Sequence, residues 1–272
     1  MAGAKGTIVE ATRSRGRLQD LVAIVTGAGS RGPGVGNGKA AAVLFAREGA
    51  KVALVDSVLS RAQETEAMIR AEGGECFAIE ADVTRAADCR RVVEETVRRY
   101  GRLDILHNNV GIDLGAVSVV DVDEEAWDRT MAVNVKSMML MAKHAIPKMA
   151  ATGGGAIINI SSLSALRPRG LTPYTTSKGA VIALTKAMAV DHAPQGIRVN
   201  CIAPGPVFTP MVAENMTPER REQRAKVSPL GIEGNAWDIG WAAVYLASPE
   251  ARWVTGQVLC VDGGLTLLAP AR

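Results

Sequence analysis

Seven short apolar runs, rich in Val, Ile and Ala, recur along this chain, and stretches of helical length separate most of them. The runs fall at residues 21–26, 51–55, 76–80, 103–107, 154–162, 197–203 and 256–262. Helices are expected over residues 38–48, 57–72, 85–100, 124–150 and 173–192. The runs do not alternate apolar with polar, so each strand needs cover on both faces. Strands joined through helices run parallel. The pattern predicts an α/β fold: a doubly wound parallel seven-stranded sheet with helices on both faces. No repeat, low-complexity tract or linker interrupts it. The expectation is therefore one domain over residues 18–272, preceded by a flexible arm over residues 1–17.

Composition narrows the function classes. The 272 residues are 47% hydrophobic and 22% charged, enough for a sizeable core and unlike a disordered chain. The 31 basic and 28 acidic residues leave a net charge of +3, with no basic tract and ten aromatic residues in all. That argues against nucleic acid as partner. No apolar run reaches the ~18 residues of a membrane span. The first twenty residues lack the apolar core of a secretory signal. Cys76, Cys89, Cys201 and Cys260 are scattered, and His107, His144 and His192 have no metal-ligand spacing. A reduced, cytoplasmic setting and no metal are expected.

The first strand run leads into the stretch VTGAGSRGPGVGNGKAAAVLFA, with six glycines between Gly27 and Gly38. A glycine-rich turn after a strand lets backbone N–H groups approach a pyrophosphate, and the next helix points its positive end at the same anion. Such turns also occur with no ligand, so the signal alone is weak. Two features strengthen it. The second strand ends at Asp56, placed to accept hydrogen bonds from a ribose diol, although a helix N-cap is the plainer reading. The third ends in ADVT, where an adenine would sit.

With these residues in place, the chain resembles the short-chain dehydrogenase/reductase family, from roughly Leu18 to Gly264. The family pattern is TG, three residues, then GxG. Thr26-Gly27 starts it here, and Gly36-Asn37-Gly38 is the better match for GxG than Gly34-Val35-Gly36. Residues 31–35 (RGPGV) then form a five-residue insertion that either covers the cofactor or bulges into solvent. NNVG at residues 108–111 is similar to the family's NNAG, with Val110 in place of Ala. YTTSK at residues 174–178 matches YxxxK, IAPGPVFTP matches the segment that closes over the nicotinamide, and VDGG the last strand and turn. One YxxxK arises easily by chance, but the ordered set does not.

Tyr174 and Lys178 lie four apart in a helical stretch, on one face. A tyrosine, with an unperturbed pKa of ~10, is a poor base near neutrality. A nearby ammonium favours the phenolate, and reaching about 7 takes roughly 4 kcal/mol. Tyr174 would then take the proton of a substrate hydroxyl as hydride leaves, or return it to a carbonyl. A core-edge Tyr beside a solvated Lys is the plain alternative. The resemblance implies a serine that holds the reacting oxygen. Ser161 keeps the usual thirteen-residue spacing to the tyrosine, whereas Ser162 fits the local pattern and is the choice here. It also implies that Asn134 holds a water in a relay to Lys178. Gly27, Ser30, Gly36, Asn37, Gly38, Asp56, Asp82, Val83, Asn109, Gly111, Pro204, Val207 and Thr209, with Tyr174 and Lys178, become the expected cofactor contacts.

The leading expectation is an NAD-dependent enzyme interconverting a secondary alcohol or diol and its ketone, a homotetramer or dimer by family resemblance. An NADPH-dependent reductase is the alternative, with Arg31 or Lys39 near a 2′-phosphate, but Asp56 would repel that group. A non-catalytic dinucleotide-binding regulator is another, although such members usually lack the Tyr or Lys. Residues 208–231, with Met211, Met216 and Leu230, are the expected substrate lid. Asp113, two residues beyond the Asn109–Gly111 turn, where family members reach into the substrate cavity, would favour a neutral substrate, whereas Arg167 or Arg169 would favour an anion; a solvated loop charge is the plain alternative for all three.

Overall fold

The computed structural model describes residues 16–115, 117–168, 170–213 and 216–268. Residues 1–15 of the expected arm therefore lie outside the described residues. Arg17 pairs with Glu250 at 2.6 Å and donates its backbone N–H to Glu48, while Leu18 is fully buried.

The chain alternates as its apolar runs require. Strand β1 (Val22–Thr26) leads to helix α1 (Asn37–Arg47), then β2 (Lys51–Asp56) and α2 (Leu59–Ala71). Next come β3 (Cys76–Glu80), α3 (Ala86–Tyr100) and β4 (Ile105–Asn108). Helices α4 (Glu124–Met131) and α5 (Ser137–Ala151) precede β5 (Gly155–Ile160), α6 (Thr172–His192) and β6 (Ile197–Pro204). A short strand β7 (Val207–Phe208), helices α7 (Pro210–Ala213) and α8 (Pro218–Lys226), and strand β8 (Gly234–Asn235) form a separate excursion. Helix α9 (Ala236–Ala247) and strand β9 (Val258–Val261) complete the order.

Seven strands make one parallel sheet in the order β3-β2-β1-β4-β5-β6-β9, the doubly wound arrangement expected from the sequence. Every residue of β1 is buried, because helices cover both faces. On one face α1, α2 and α9 close a core with Phe45, Leu54, Ile69 and Ile239. On the other, α3, α5 and α6 pack through Val92, Leu140, Met141 and Met188. Burying a side chain such as Phe45 contributes roughly 1.5–3 kcal/mol. Helices α1 and α9 meet at small residues: a Cβ on Gly240 would lie 2.8 Å from Leu44 Cδ1 and 3.3 Å from the Ala40 carbonyl carbon.

Two details depart from the sequence expectation. The helix expected over residues 124–150 is interrupted by a π-helical turn, Ala132–Lys136, that separates α4 from α5. Such turns gather at functional sites, and Asn134 sits inside this one. The expected lid, residues 208–231, contains two helices, and the β7–β8 pair, which joins Val207 to Gly234, flanks it. That pairing is two residues long, too short for any period to reveal it.

Candidate active site

The carboxyl ends of the strands surround a cleft of about 940 Å³, where strand order reverses between β1 and β4. Ligands of open α/β sheets bind at this place. One wall is the glycine turn. A Cβ on Gly38 would lie 2.0 Å from the Gly27 carbonyl oxygen, so α1 can press on β1 only with glycine there. Gly27 has φ +63° and no room beside Asn109. Gly36 is the N-cap of α1, without a side-chain cap and with no acidic residue in the first turn. Its N–H donates to Ser30 Oγ at 3.0 Å. The open helix start favours an anion. Asn37 Oδ1 is buried without a partner among the described residues and belongs to this wall. The bare glycine turn and the open helix start fit the pyrophosphate of a dinucleotide.

Asp56 stands at the end of β2. One carboxylate oxygen accepts from Gly29 N–H at 3.1 Å and the other from Val58 N–H at 3.1 Å. It thus shapes the turn, and it also lines the cleft. Asp82 and Val83 line it beyond β3, with Asp82 accepting from the Thr84 N–H and hydroxyl. Asn109 and Gly111 follow β4. Asn109 donates from its side chain to the Gly27 carbonyl at 3.2 Å, and its N–H donates to Thr26 Oγ1 at 3.1 Å. Pro204, Val207 and Thr209 close the far side. Lys39, weighed for a 2′-phosphate, is not brought to the cleft: it is buried and faces Glu64 at 3.4 Å.

Helix α6 carries Tyr174 and Lys178, the pair expected to be reactive. Tyr174 and Lys178 line the cleft one turn apart, with Lys178 Nζ 5.7 Å from the Tyr174 ring centroid. Lys178 is buried, and its Nζ donates to the Ile160 carbonyl at 2.9 Å. Burial pushes its pKa down to about 8. Of the two serines after β5, Ser161 is buried, and its Oγ donates to the Lys178 carbonyl at 2.7 Å. Ser162 is partly exposed on the cleft, and its Oγ accepts from Ser164 N–H at 3.1 Å.

Asn134 is fully buried and lies behind the cleft lining. Its Oδ1 accepts from Ile112 N–H at 2.8 Å, and its Nδ2 donates to the Ile112 carbonyl and to Ser177 Oγ, both at 2.9 Å. The geometry makes it a clamp on the segment after Gly111 and on the turn of α6 that carries Lys178. Gly111 fits only because it is bare: a Cβ there would lie 3.0 Å from Lys178 Nζ. A further chain anchors α6 to the sheet. Asn108 donates to Asn159, which donates to Thr185 on α6, each at 2.9 Å.

The substrate end is less enclosed. Asp113, Leu114, Leu171, Met211 and Val212 line it. Met216 instead lines a neighbouring pocket of about 300 Å³, and Leu230 lines neither. Arg167 turns away and donates to the Leu265 carbonyl at 2.7 Å. Arg169 lies outside the described residues. The sequence reading missed Arg61, Arg129 and Arg224 as cleft residues. Arg224 is held by Glu233 at 2.9 Å. Arg61 sits in the first turn of α2 against Gly29, a position that helical phase counted from Asp56 would have found.

A family model described as Enoyl-(Acyl carrier protein) reductase matches residues 34–266. A solved protein from Burkholderia xenovorans, assigned to the short-chain dehydrogenases/reductases, is 41% identical with a TM-score of 0.88, covering 93% of this chain and 99% of its own. A 7 alpha-hydroxysteroid dehydrogenase, solved with NADH and 7-oxo glycochenodeoxycholic acid, is 35% identical with a TM-score of 0.85, covering 91% and 95%. A 2,5-dichloro-2,5-cyclohexadiene-1,4-diol dehydrogenase of Sphingobium indicum is 39% identical over 91% of this chain and 97% of its own. This chain therefore belongs to the short-chain dehydrogenase/reductase family of oxidoreductases, whose members bind a nicotinamide dinucleotide.

Proposed function

We propose that this protein is an NAD-dependent oxidoreductase that interconverts a secondary alcohol or diol and the corresponding ketone, with Tyr174 as acid and base. The observation that carries the reading is the meeting of Ser162, Tyr174 and Lys178 in the cleft that also holds the glycine turn and Asp56. The dinucleotide supplies hydride acceptance and donation. Tyr174 removes the hydroxyl proton of an alcohol or gives one to a carbonyl oxygen. Lys178, a buried ammonium below about pH 8, biases Tyr174 toward phenolate. Ser162 donates a hydrogen bond to the reacting oxygen. Asn134 positions Ile112 and the Lys178 turn, and the water relay inferred from the family would pass beside it.

Preference for NAD follows from Asp56. Its carboxylate accepts from a ribose diol and repels a 2′-phosphate. Replacing Asp56 with Ser should relax that preference and leave turnover in place. We propose a neutral substrate because Asp113 lines the cleft, while the Leu265 carbonyl takes Arg167 and Glu233 holds Arg224; Arg129 is the lining cation that an acid substrate would use instead. The two named relatives whose substrates are an oxo-steroid and a cyclic diol support the alcohol-ketone class. We also propose a homo-oligomer, in keeping with the exposed Trp241, Tyr245 and Trp253 near the β9 edge of the sheet, and a cytoplasmic setting, in keeping with four free cysteines.

The deciding experiment follows reduced nicotinamide by absorbance, with NAD and NADP, over a panel of neutral secondary alcohols, diols and their carboxylate analogues. Turnover of a neutral alcohol with NAD in excess of NADP is expected. Equal or better use of NADP would overturn the cofactor assignment, and binding without turnover across the panel would favour a regulator.

A further inference from the structure

The inserted residues 31–35 have a defined place. Ser30 and Gly36 flank them, and the 3.0 Å bond from Gly36 N–H to Ser30 Oγ closes their base. The five residues therefore leave the turn between its two closed ends. Arg31, at its start, lines the cleft and makes no hydrogen bond or ion pair among the described residues. Its root lies beside the open N-terminus of α1. Further along, Gly34 has φ +109°, and a Cβ there would lie 3.6 Å from Pro210 Cγ. Pro210 is the first residue of α7, and with Met211 and Val212 it lines the substrate end.

We propose that residues 31–35 are a strap: Arg31 pairs with the diphosphate of the bound dinucleotide, and Gly34, which lies beside Pro210 without touching it, closes onto Pro210 and seats the lid. This rests on the dinucleotide reading above. A guanidinium is suited to a diphosphate, since its fork bonds two oxygens at once. The helix start places that anion within its reach, whereas Asp56, on the ribose side, disfavours a phosphate there. Binding of cofactor therefore draws in the base of the strap, and the closing of Gly34 onto Pro210 carries the displacement to the substrate side.

Two variants test the strap: Arg31→Gln, and a deletion of residues 31–35 that leaves TGAGSGNG. NADH, NADPH, ADP and adenosine are titrated against each by fluorescence or calorimetry, and amide exchange of residues 208–231 is followed with and without NADH. Arg31→Gln should weaken NADH and ADP by about tenfold alike, near 1.4 kcal/mol, and leave adenosine unchanged. In the parent protein NADH should slow exchange in the lid, and in the deletion variant this slowing should vanish. Unchanged NADH affinity in Arg31→Gln overturns the proposal. So does a loss confined to NADPH, which would place Arg31 at a 2′-phosphate, or lid protection that survives the deletion. A parent protein that binds none of the dinucleotides would sink the functional reading itself, a result distinct from the other three.

Discussion

The two sides of the cleft are built differently. The side formed by β4, β5 and α6 is tied from behind. Asn134, Asn159, Ser177, Thr185 and Lys178 are buried, and each makes a hydrogen bond to another element or to the next turn of α6. The other, open side, residues 31–35, 113–115, 165–168 and 208–213, is exposed or partly exposed apart from Thr209 and contributes few side-chain bonds. An acid/base group must hold its geometry, because rate falls steeply with misplacement. A surface that admits substrate must open. The contrast assigns chemistry to the tied side and selection to the open one, and each of the following changes acts on one of them.

The largest effect belongs to the tied side. Tyr174→Phe keeps the ring and removes the hydroxyl. Turnover should fall by ~100- to 10,000-fold, with NADH affinity unchanged in a direct titration. A variant that keeps half of its activity would show that another group moves the proton.

Lys178 tests the cost of holding that side together. Burial lowers its pKa from 10.5 to about 8. Above pH 10.5 the side chain is neutral both folded and unfolded, and it imposes no penalty. As pH falls toward 8 the unfolded chain takes the proton first, so stability drops, and below 8 the full cost is present. At 1.36 kcal/mol per unit, that cost is about 3 kcal/mol. Relative to Lys178→Met, the parent protein should therefore gain stability between pH 8 and 10.5, on top of a fall common to both from the buried thiols Cys76, Cys89 and Cys201, whose pKa burial raises to about 11. The difference between the denaturant midpoints of the two proteins across that range decides it, and a difference that does not change with pH would remove Lys178 as its source.

Much of the tied side was legible in the sequence, and little of the open side was. Tyr174 and Lys178 declare themselves by a four-residue spacing on a helix, and Gly27, Gly36 and Gly38 by their place after a strand. Those signals are local, and the fold preserves them. The role of Asn134 was not legible in the same way, because its partners Ile112 and Ser177 are 22 and 43 residues away and a π turn replaces the continuous helix. Spacing favours Ser161 and the local pattern Ser162, and neither carries what separates them in the fold: the Ser161 hydroxyl is buried against the Lys178 carbonyl, while Ser162 is partly exposed on the cleft. On the open side, Arg167 looked like a cleft cation, but a carbonyl 98 residues later takes its guanidinium.

Asn159→Leu cuts the chain from β4 to α6. It leaves the Asn108 amide and the Thr185 hydroxyl without their partner, and a buried polar group that loses its bond costs about 1–3 kcal/mol. The expected result is a lower denaturant midpoint by that amount and a drop in kcat larger than any change in KM, since α6 loses its anchor while the substrate surface is untouched. A change confined to KM would mean that α6 is held well enough without the chain.

The smallest effect is expected on the open side, from Arg167→Ala. The variant removes one hydrogen bond to the Leu265 carbonyl, worth about 1 kcal/mol or less at a half-buried position. The guanidinium does not reach the cleft, so the ratio of kcat/KM for a neutral alcohol to that for its carboxylate analogue should stay within about twofold of the parent value. The same pair measured on Asp113→Asn should shift toward the acid, because that carboxylate does face the cleft. If Arg167→Ala abolishes a preference for the acid and Asp113→Asn changes nothing, the charges of the open side are arranged the other way round, and the loop between Ser162 and Tyr174 swings its arginine into the site when substrate binds.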